Sequence, residues 1–472
     1  MKLLKNYFYN VAYNVLTMIL PLITGPFVSR KLGAYGVGIN SYTYSIVNWF
    51  VLVGSMGISL YGNRQIAYTR SDREKLSKTF YELVFLKLFM LFISFVVYLF
   101  ICLNSREYSF YLLLQSIYII AAVFDISWFF MGIEEFGVTV TRNTFVKVTS
   151  VVLILTFIRS RDDIATYILI LAIATFMGNL TMWPSLRGKI LAPKMKLKPF
   201  IHLKSSFALF IPLAAVQLYV GLNKTMLGLL SGTNSSGFYD KADSLSKLAL
   251  TVISSLSTVL LPFTAKSVSQ GEIRKVKKIL YLSFDFASLI AIPISFGLAA
   301  IALKFGPFFY GKGFDDVGNA LFIEAIIVIF MSWSSITGNQ YLVPTNQVKP
   351  YTLSILIGAG VNILLNIPLI LKYGLYGATF ATVLAELSVS LYQLFYIRRQ
   401  VSLIMLFRNV YKYLSASAFM FLIVFPVAML TKMTLFTLIF EIVLGVIIYI
   451  LLIFLLKPTS MKLVVKWYKK RK

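Results

Sequence analysis

Runs of about 20 mostly apolar residues, the length of helix that crosses a bilayer, recur almost without interruption along this chain. Short loops separate them, and lysine and arginine collect in those loops. The runs fall at 7–28, 37–60, 80–103, 109–131, 137–158, 164–183, 207–230, 237–262, 279–303, 317–340, 350–371, 375–396, 411–431 and 435–456. That is about fourteen spans. Hydrocarbon offers no partner to an open backbone, so each run reads as a helix. The expected fold class is an all-α polytopic membrane protein.

Composition agrees. Of 472 residues, 58% are hydrophobic and 13% charged, about half the charged share of a soluble domain. The run from Tyr7 to Val28 follows Lys2 and Lys5, but no small-residue cleavage pattern comes after it. It reads as a retained first helix rather than a signal peptide. The single cysteine, Cys102, excludes an intrachain disulfide and a cysteine-based metal site. The single histidine, His202, excludes a histidine-rich zinc centre. No metal, cofactor or catalytic residue is expected.

The net charge of +27 does not point to nucleic acid, because the basic residues gather on no polar domain. With the N-terminus in the cytoplasm, the great majority of the 45 lysines and arginines fall in cytoplasmic loops. The bias places both termini inside. The longest inner loop is strongly basic and divides the chain. Residues 1–184 form a first six-helix lobe and 185–206 an inter-lobe loop. Residues 207–400 form a second six-helix lobe, 401–456 two further helices, and 457–472 a basic cytoplasmic tail. The segments Gly38–Ile46 and Gly237–Leu245 occupy matching places in the two lobes, as a parallel repeat would.

Five groups of segments carry a family resemblance. The first is Phe27-Val-Ser-Arg30-Lys-Leu-Gly33-Ala-Tyr-Gly36, followed by Gly62-Asn-Arg64-Gln-Ile-Ala67. Next comes Trp128-Phe-Phe-Met-Gly132-Ile-Glu134-Glu135-Phe136. The fourth group is Asn223-Lys224-Thr-Met-Leu-Gly228 with Gly237-Phe-Tyr-Asp240-Lys-Ala242-Asp243 and Leu261-Pro262. The last is Gln340-Tyr-Leu-Val-Pro344 with Asn362-Ile-Leu-Leu-Asn366 and Tyr373-Gly374-Leu-Tyr-Gly377-Ala378-Thr379. In this order the chain resembles a Wzx-type repeat-unit flippase, of the polysaccharide transporter branch of the multidrug/oligosaccharidyl-lipid/polysaccharide (MOP) exporter superfamily. It departs where the family often has Asp and this chain has Asn223, and where a basic residue is common and this chain has Ser244. Related lipid II flippases carry basic residues where this chain has Val51-Leu52-Val53, which favours an oligosaccharide repeat unit as cargo.

The resemblance implies two six-helix bundles in a V around a central cavity, a MATE/MOP-like fold opening alternately to either side. The last two helices would pack outside and offer a groove for a lipid tail. The implied cargo is an undecaprenyl-pyrophosphate-linked oligosaccharide, moved from the inner to the outer leaflet of a bacterial cytoplasmic membrane for capsule, O-antigen or exopolysaccharide. The implied partners are membrane lipid, a coupling H+ or Na+, and polysaccharide polymerase machinery.

A charged, hydroxyl-rich headgroup crosses hydrocarbon only where polar side chains line a path. The candidate substrate-binding residues are therefore the polar ones inside spans, Lys224 and Asn223, Lys241 and Lys247, and the i, i+4 pairs Asn10/Asn14 and Asn362/Asn366, together with Arg30 at the first span's outer end. Each asparagine pair could equally hold helices together. Asp240 and Asp243, with Glu386 and Asp125, are the ion-coupling candidates. Asp240, Asp243 and Lys247 share one helical face. Lys87, near the cytoplasmic end of its span, is placed to snorkel to the surface.

Three alternatives compete: a lipid II flippase, a multidrug or organic-cation antiporter of the same superfamily, and a membrane polysaccharide polymerase or ligase. The lysines favour an anionic cargo over a cationic drug. A polymerase would want a large outer loop, and the acidic pairs Asp162-Asp163 and Asp315-Asp316 read as solvated loops. Gly306-Pro-Phe-Phe-Tyr-Gly311-Lys312-Gly313 resembles a P-loop but lacks the Ser or Thr that holds magnesium and follows no strand. It is not expected to bind ATP.

Overall fold

The computed structural model describes residues 2–192 and 196–458, without the side chains of 2–18, 211–213, 215, 216, 218–220, 252 and 254–262. Its described residues are mostly helical. In order come α1 (Lys2–Ser55), α2 (Ile58–Thr69), α3 (Arg73–Asn104), α4 (Ser109–Gln115), α5 (Ile117–Phe124), α6 (Ser127–Gly132), α7 (Phe136–Phe157) and α8 (Ile164–Leu180). Then follow α9 (Leu203–Leu230), α10 (Thr233–Ser269), α11 (Ile273–Tyr310), α12 (Asp315–Glu324), α13 (Ile327–Thr337), α14 (Val348–Ile397), α15 (Leu403–Leu406), α16 (Val410–Leu430) and α17 (Leu435–Leu456).

Among the described residues, nine helical stretches are long and apolar enough to cross a membrane, or ten if the bent pair α12–α13 is one span. Two of these, of 51 and 50 residues, would each extend roughly 75 Å, more than twice the hydrocarbon thickness. Both are broken inside by a glycine with positive φ: Gly33 (φ 71°) in α1 and Gly374 (φ 55°) in α14. At Gly374 the chain folds back sharply. A Cβ on Gly377 would run into the backbone of Leu369, eight positions earlier and about 12 Å away along a straight helix.

The helix ends are set by local chemistry. Asp72 caps α3 by accepting from the Glu74 and Lys75 N–H groups at 3.1 Å. Ser160 and Asp163 form a capping box before α8, and Asp315 and Asp316 sit in the first turn of α12, where a helix dipole favours negative charge. The Gly306–Gly313 stretch closes α11, ending on Gly311 at φ 107°. It is a helix C-terminus.

The chain divides into two compact units, Met1–Gly228 and Leu229–Lys472. The expected lobes divide within 184–207, so the difference lies in α9. Thr225 of α9 meets Ser45 Oγ at 2.8 Å and accepts from Trp49 Nε1 at 3.1 Å. A Cβ on Gly228 would strike the Tyr42 ring. These contacts along α1 hold α9 in the first unit.

In the first unit, Trp128 is fully buried and stacks on Phe80 with centroids 5.7 Å apart. Gly62 lies so close to Trp128 that an added Cβ would sit 2.7 Å from the indole, and a Cβ on Gly132 would sit 2.6 Å from Ile66. Two of the quoted family segments are thus mutually packed. In the second unit, Tyr239 bonds Thr382 at 2.9 Å, joining α10 to the second half of α14. A larger core there unites α11, α13, α16 and α17 around Phe284, Tyr413 and Ile292.

Candidate functional site

α10 carries the densest group of expected site residues. Lys247 Nζ donates to Asp243 Oδ2 at 2.7 Å, one turn apart, and Asp243 is buried. Lys241 lies 4.0 Å from Asp240 and 5.8 Å from the Tyr310 ring centroid. The structure therefore brings these four together as two acid–base pairs on successive turns. The pairing neutralises charge that would otherwise be costly to bury. It also fixes the available chemistry: an anion reaching either lysine would exchange one oxyanion partner for another.

Asn223 is buried and Lys224 half-buried on α9, two residues and one residue before the Thr225 anchor. Asn362 and Asn366 are both fully buried, and the Asn366 amide donates to Asn362 Oδ1 at 2.8 Å. Glu386 is buried in the second half of α14. Arg30 is exposed three residues before the Gly33 break. The side chains of Asn10 and Asn14 lie outside the described residues.

Asp125 sits where the fourth expected span is interrupted, between α5 and α6. Its carboxylate accepts from the Ser127 N–H at 3.0 Å. The carbonyls freed by the break are capped from three directions: Asn179 Nδ2 to Ala121 O at 2.6 Å, Trp183 Nε1 to Phe124 O at 2.9 Å, and Lys87 Nζ to Asp125 O at 2.7 Å. Arg142 in turn donates to Asn179. Lys87 is only 2% exposed, so it does not snorkel. A frayed helix end inside the membrane needs donors, and a lysine with three N–H groups supplies them.

One residue was not anticipated. Glu441 of α17 is 1% exposed; one carboxylate oxygen accepts from Thr431 Oγ1 at 2.9 Å, and the other has no partner among the described residues. It borders an apolar cavity of about 560 Å³ between α11, α16 and α17, lined also by Ile294, Met420, Gly445 and Tyr449. An acid inside an otherwise apolar run was the available signal.

Comparison with known proteins completes the description. The family model described as polysaccharide biosynthesis protein matches residues 3–268. A protein of Shigella dysenteriae named "Putative O-antigen transporter" is 24% identical over 381 residues, covering 80% of this chain and 95% of its own. A protein of Escherichia coli K12 with the same name is 22% identical, covering 86% and 99%. Among solved structures, the lipid II flippase MurJ in an inward closed conformation superposes with a TM-score of 0.77 at 18% identity, covering 94% of this chain and 98% of its own. An inward-facing MATE-family multidrug transporter of the MOP superfamily gives 0.63 at 12% identity, covering 82% and 94%.

Proposed function

Because this chain belongs to the polysaccharide biosynthesis protein family, with its family segment spanning residues 3–268, we propose that it is a flippase for lipid-linked oligosaccharides. It takes an isoprenoid-pyrophosphate-linked repeat unit from the inner to the outer leaflet of the cytoplasmic membrane by alternating access. Both termini face the cytoplasm, following the positive-inside bias. The names of the two enterobacterial relatives support an O-antigen-type cargo.

The observation that carries this reading is the separation of chemistries within the second unit. α10 offers two lysine–carboxylate pairs inside a membrane protein. An apolar groove of about 560 Å³ lies apart from them, against α16 and α17. An amphiphile with an anionic sugar headgroup and a hydrocarbon tail needs both, the first to replace water around charge and the second to keep the tail in an apolar phase. Coupling comes from an ion gradient or the membrane potential, with Asp240, Asp243, Glu386 and Asp125 as candidate ion carriers.

Expression in a strain lacking its own repeat-unit flippase tests the proposal. Restored surface polymer is the expected result. Failure with several different repeat units, at good membrane levels, would contradict it, and export of a cationic dye instead would assign the antiporter function.

A further inference from the structure

His202 is the only histidine in the chain, and it is buried just before the first turn of α9. Its Nε2 lies 3.0 Å from Glu82 Oε2 on α3, and its Nδ1 lies 2.8 Å from the Tyr61 hydroxyl on α2. Glu82 is also buried; its other oxygen accepts the Lys198 N–H at 2.8 Å, with Lys78 Nζ at 3.9 Å. Arg64 stands over the Tyr61 ring at 5.7 Å, Ser205 bonds the Tyr61 hydroxyl, and Lys204 is exposed to solvent. Those are the titratable and charged groups that α2, α3 and the segment entering α9 turn toward the imidazole.

We propose that His202 and Glu82 form a proton-binding site whose occupancy sets how firmly the start of α9 is held to α2 and α3. The geometry accommodates both states of the ring. In the neutral ring, Nε2–H donates to Glu82 and Nδ1 accepts from the Tyr61 hydroxyl. In the cation both nitrogens donate, and the Tyr61 hydroxyl accepts at its oxygen while turning its own O–H to donate a hydrogen bond to the Ser205 hydroxyl. A hydroxyl can do either, so the imidazole gains or loses a proton without stranding a buried polar group. What changes is charge: the protonated ring makes an ion pair with Glu82, and the neutral ring only a hydrogen bond.

The site is mechanically connected. Four residues on, Ser206 Oγ donates to the Met56 carbonyl at 2.6 Å. That carbonyl belongs to the break between α1 and α2, where Met56 and Gly57 have φ of 43° and 70°. A Cβ on Gly57 would lie 2.9 Å from the Phe210 nitrogen. The far end of the same helix carries Asn223 and Lys224. A proton at His202 therefore acts on the helix that bears candidate headgroup contacts, whatever the cargo.

The lone histidine makes the test direct. The full-length protein, purified without a histidine tag and labelled with isotopic histidine in lipid nanodiscs, gives one imidazole signal. Following that signal from about pH 5 to 8, across which imidazoles change charge, reads the ring's protonation. In Glu82→Gln the midpoint should move to lower pH. Hydrogen exchange of the amides at 198–206, corrected for intrinsic rates, should slow as pH falls through the wild-type midpoint, and His202→Gln should remove that dependence. An invariant signal from pH 5 to 8, or an unmoved midpoint in Glu82→Gln, would overturn the site. Exchange that keeps its pH dependence in His202→Gln would overturn its hold on α9. These readouts need no transport, so they stand apart from the flippase assignment.

Discussion

Lys87 Nζ donates to the backbone carbonyl of Asp125 at 2.7 Å, across 38 positions of sequence. It closes the end of α5 inside the membrane. Lys87→Met keeps the volume and removes the donor. It should destabilise the first unit by about 1–3 kcal/mol, the penalty for an unsatisfied buried polar group. Thermal unfolding in detergent measures this, and an unchanged midpoint would count against the capping role.

Gly377 sits against the Leu369 backbone where α14 folds back, whereas Gly137 has no atom within 4 Å of an added Cβ. Gly377→Ala should lower the yield of folded protein severalfold, and Gly137→Ala should leave it unchanged, since overpacking costs about 1–3 kcal/mol where nothing can shift. Gel filtration of fluorescent fusions compares them.

Lys247 and Asp243 separate structure from transport. Lys247→Ala strands the buried Asp243 carboxylate, at a cost of about 1–3 kcal/mol. The double variant with Asp243→Asn removes that charge and should recover the folded yield. If Lys247 also contacts headgroup, polymer export stays low in the double variant. Recovered export would make the pair purely structural.

Gly445 faces the apolar groove, with an added Cβ in ordinary contact at 3.5 Å from the Met420 sulfur. Gly445→Ala should be tolerated. Gly445→Phe should fill the groove and reduce export about tenfold, equivalent to losing about 1.4 kcal/mol of tail binding. Equal export by both variants would remove the groove from the pathway.

The turn before α8 responds to acid. The Asp163 carboxylate accepts from the Arg159 and Ser160 N–H groups at 2.8 and 2.7 Å. Those backbone bonds hold its pKa below the ordinary 3.8. A lowered acid contributes stability above its unfolded value and loses it as pH falls through the folded one. Amide exchange at 160–164 should therefore rise below about pH 4 in wild type, and Asp163→Asn should abolish the acid dependence.

An all-helical chain with many apolar spans was legible because length and apolarity decide them, and Gly33 and Gly374 already stood in the quoted segments. Against the about fourteen expected, the described residues hold nine apolar helical stretches, or ten with the bent pair. The α5–α6 interruption was not read as one. Asp125 announced it, yet an acid in an apolar run points equally to an ion site and a helix end. Pairing was readable where it is local, as for Asp243 and Lys247 at i, i+4. It was not readable for Lys87 with Asp125, or for His202 with Glu82 across 120 positions, because only tertiary packing brings them together. The quoted motifs turned out to mark close packing, Gly62 on Trp128 and Tyr239 on Thr382, which is why they report fold more clearly than cargo.

The central claim is translocation of a lipid-linked oligosaccharide, and the direct measurement is made in vesicles containing only the purified protein. A fluorescent oligosaccharide on an isoprenoid pyrophosphate is incorporated in both leaflets, and a membrane-impermeant quencher is added outside. The account predicts that the protected inner-leaflet fraction becomes quenchable in vesicles with wild type, and more slowly with Lys224→Ala. A protected fraction that persists as in protein-free vesicles, under an imposed proton gradient, sodium gradient or membrane potential, would contradict it.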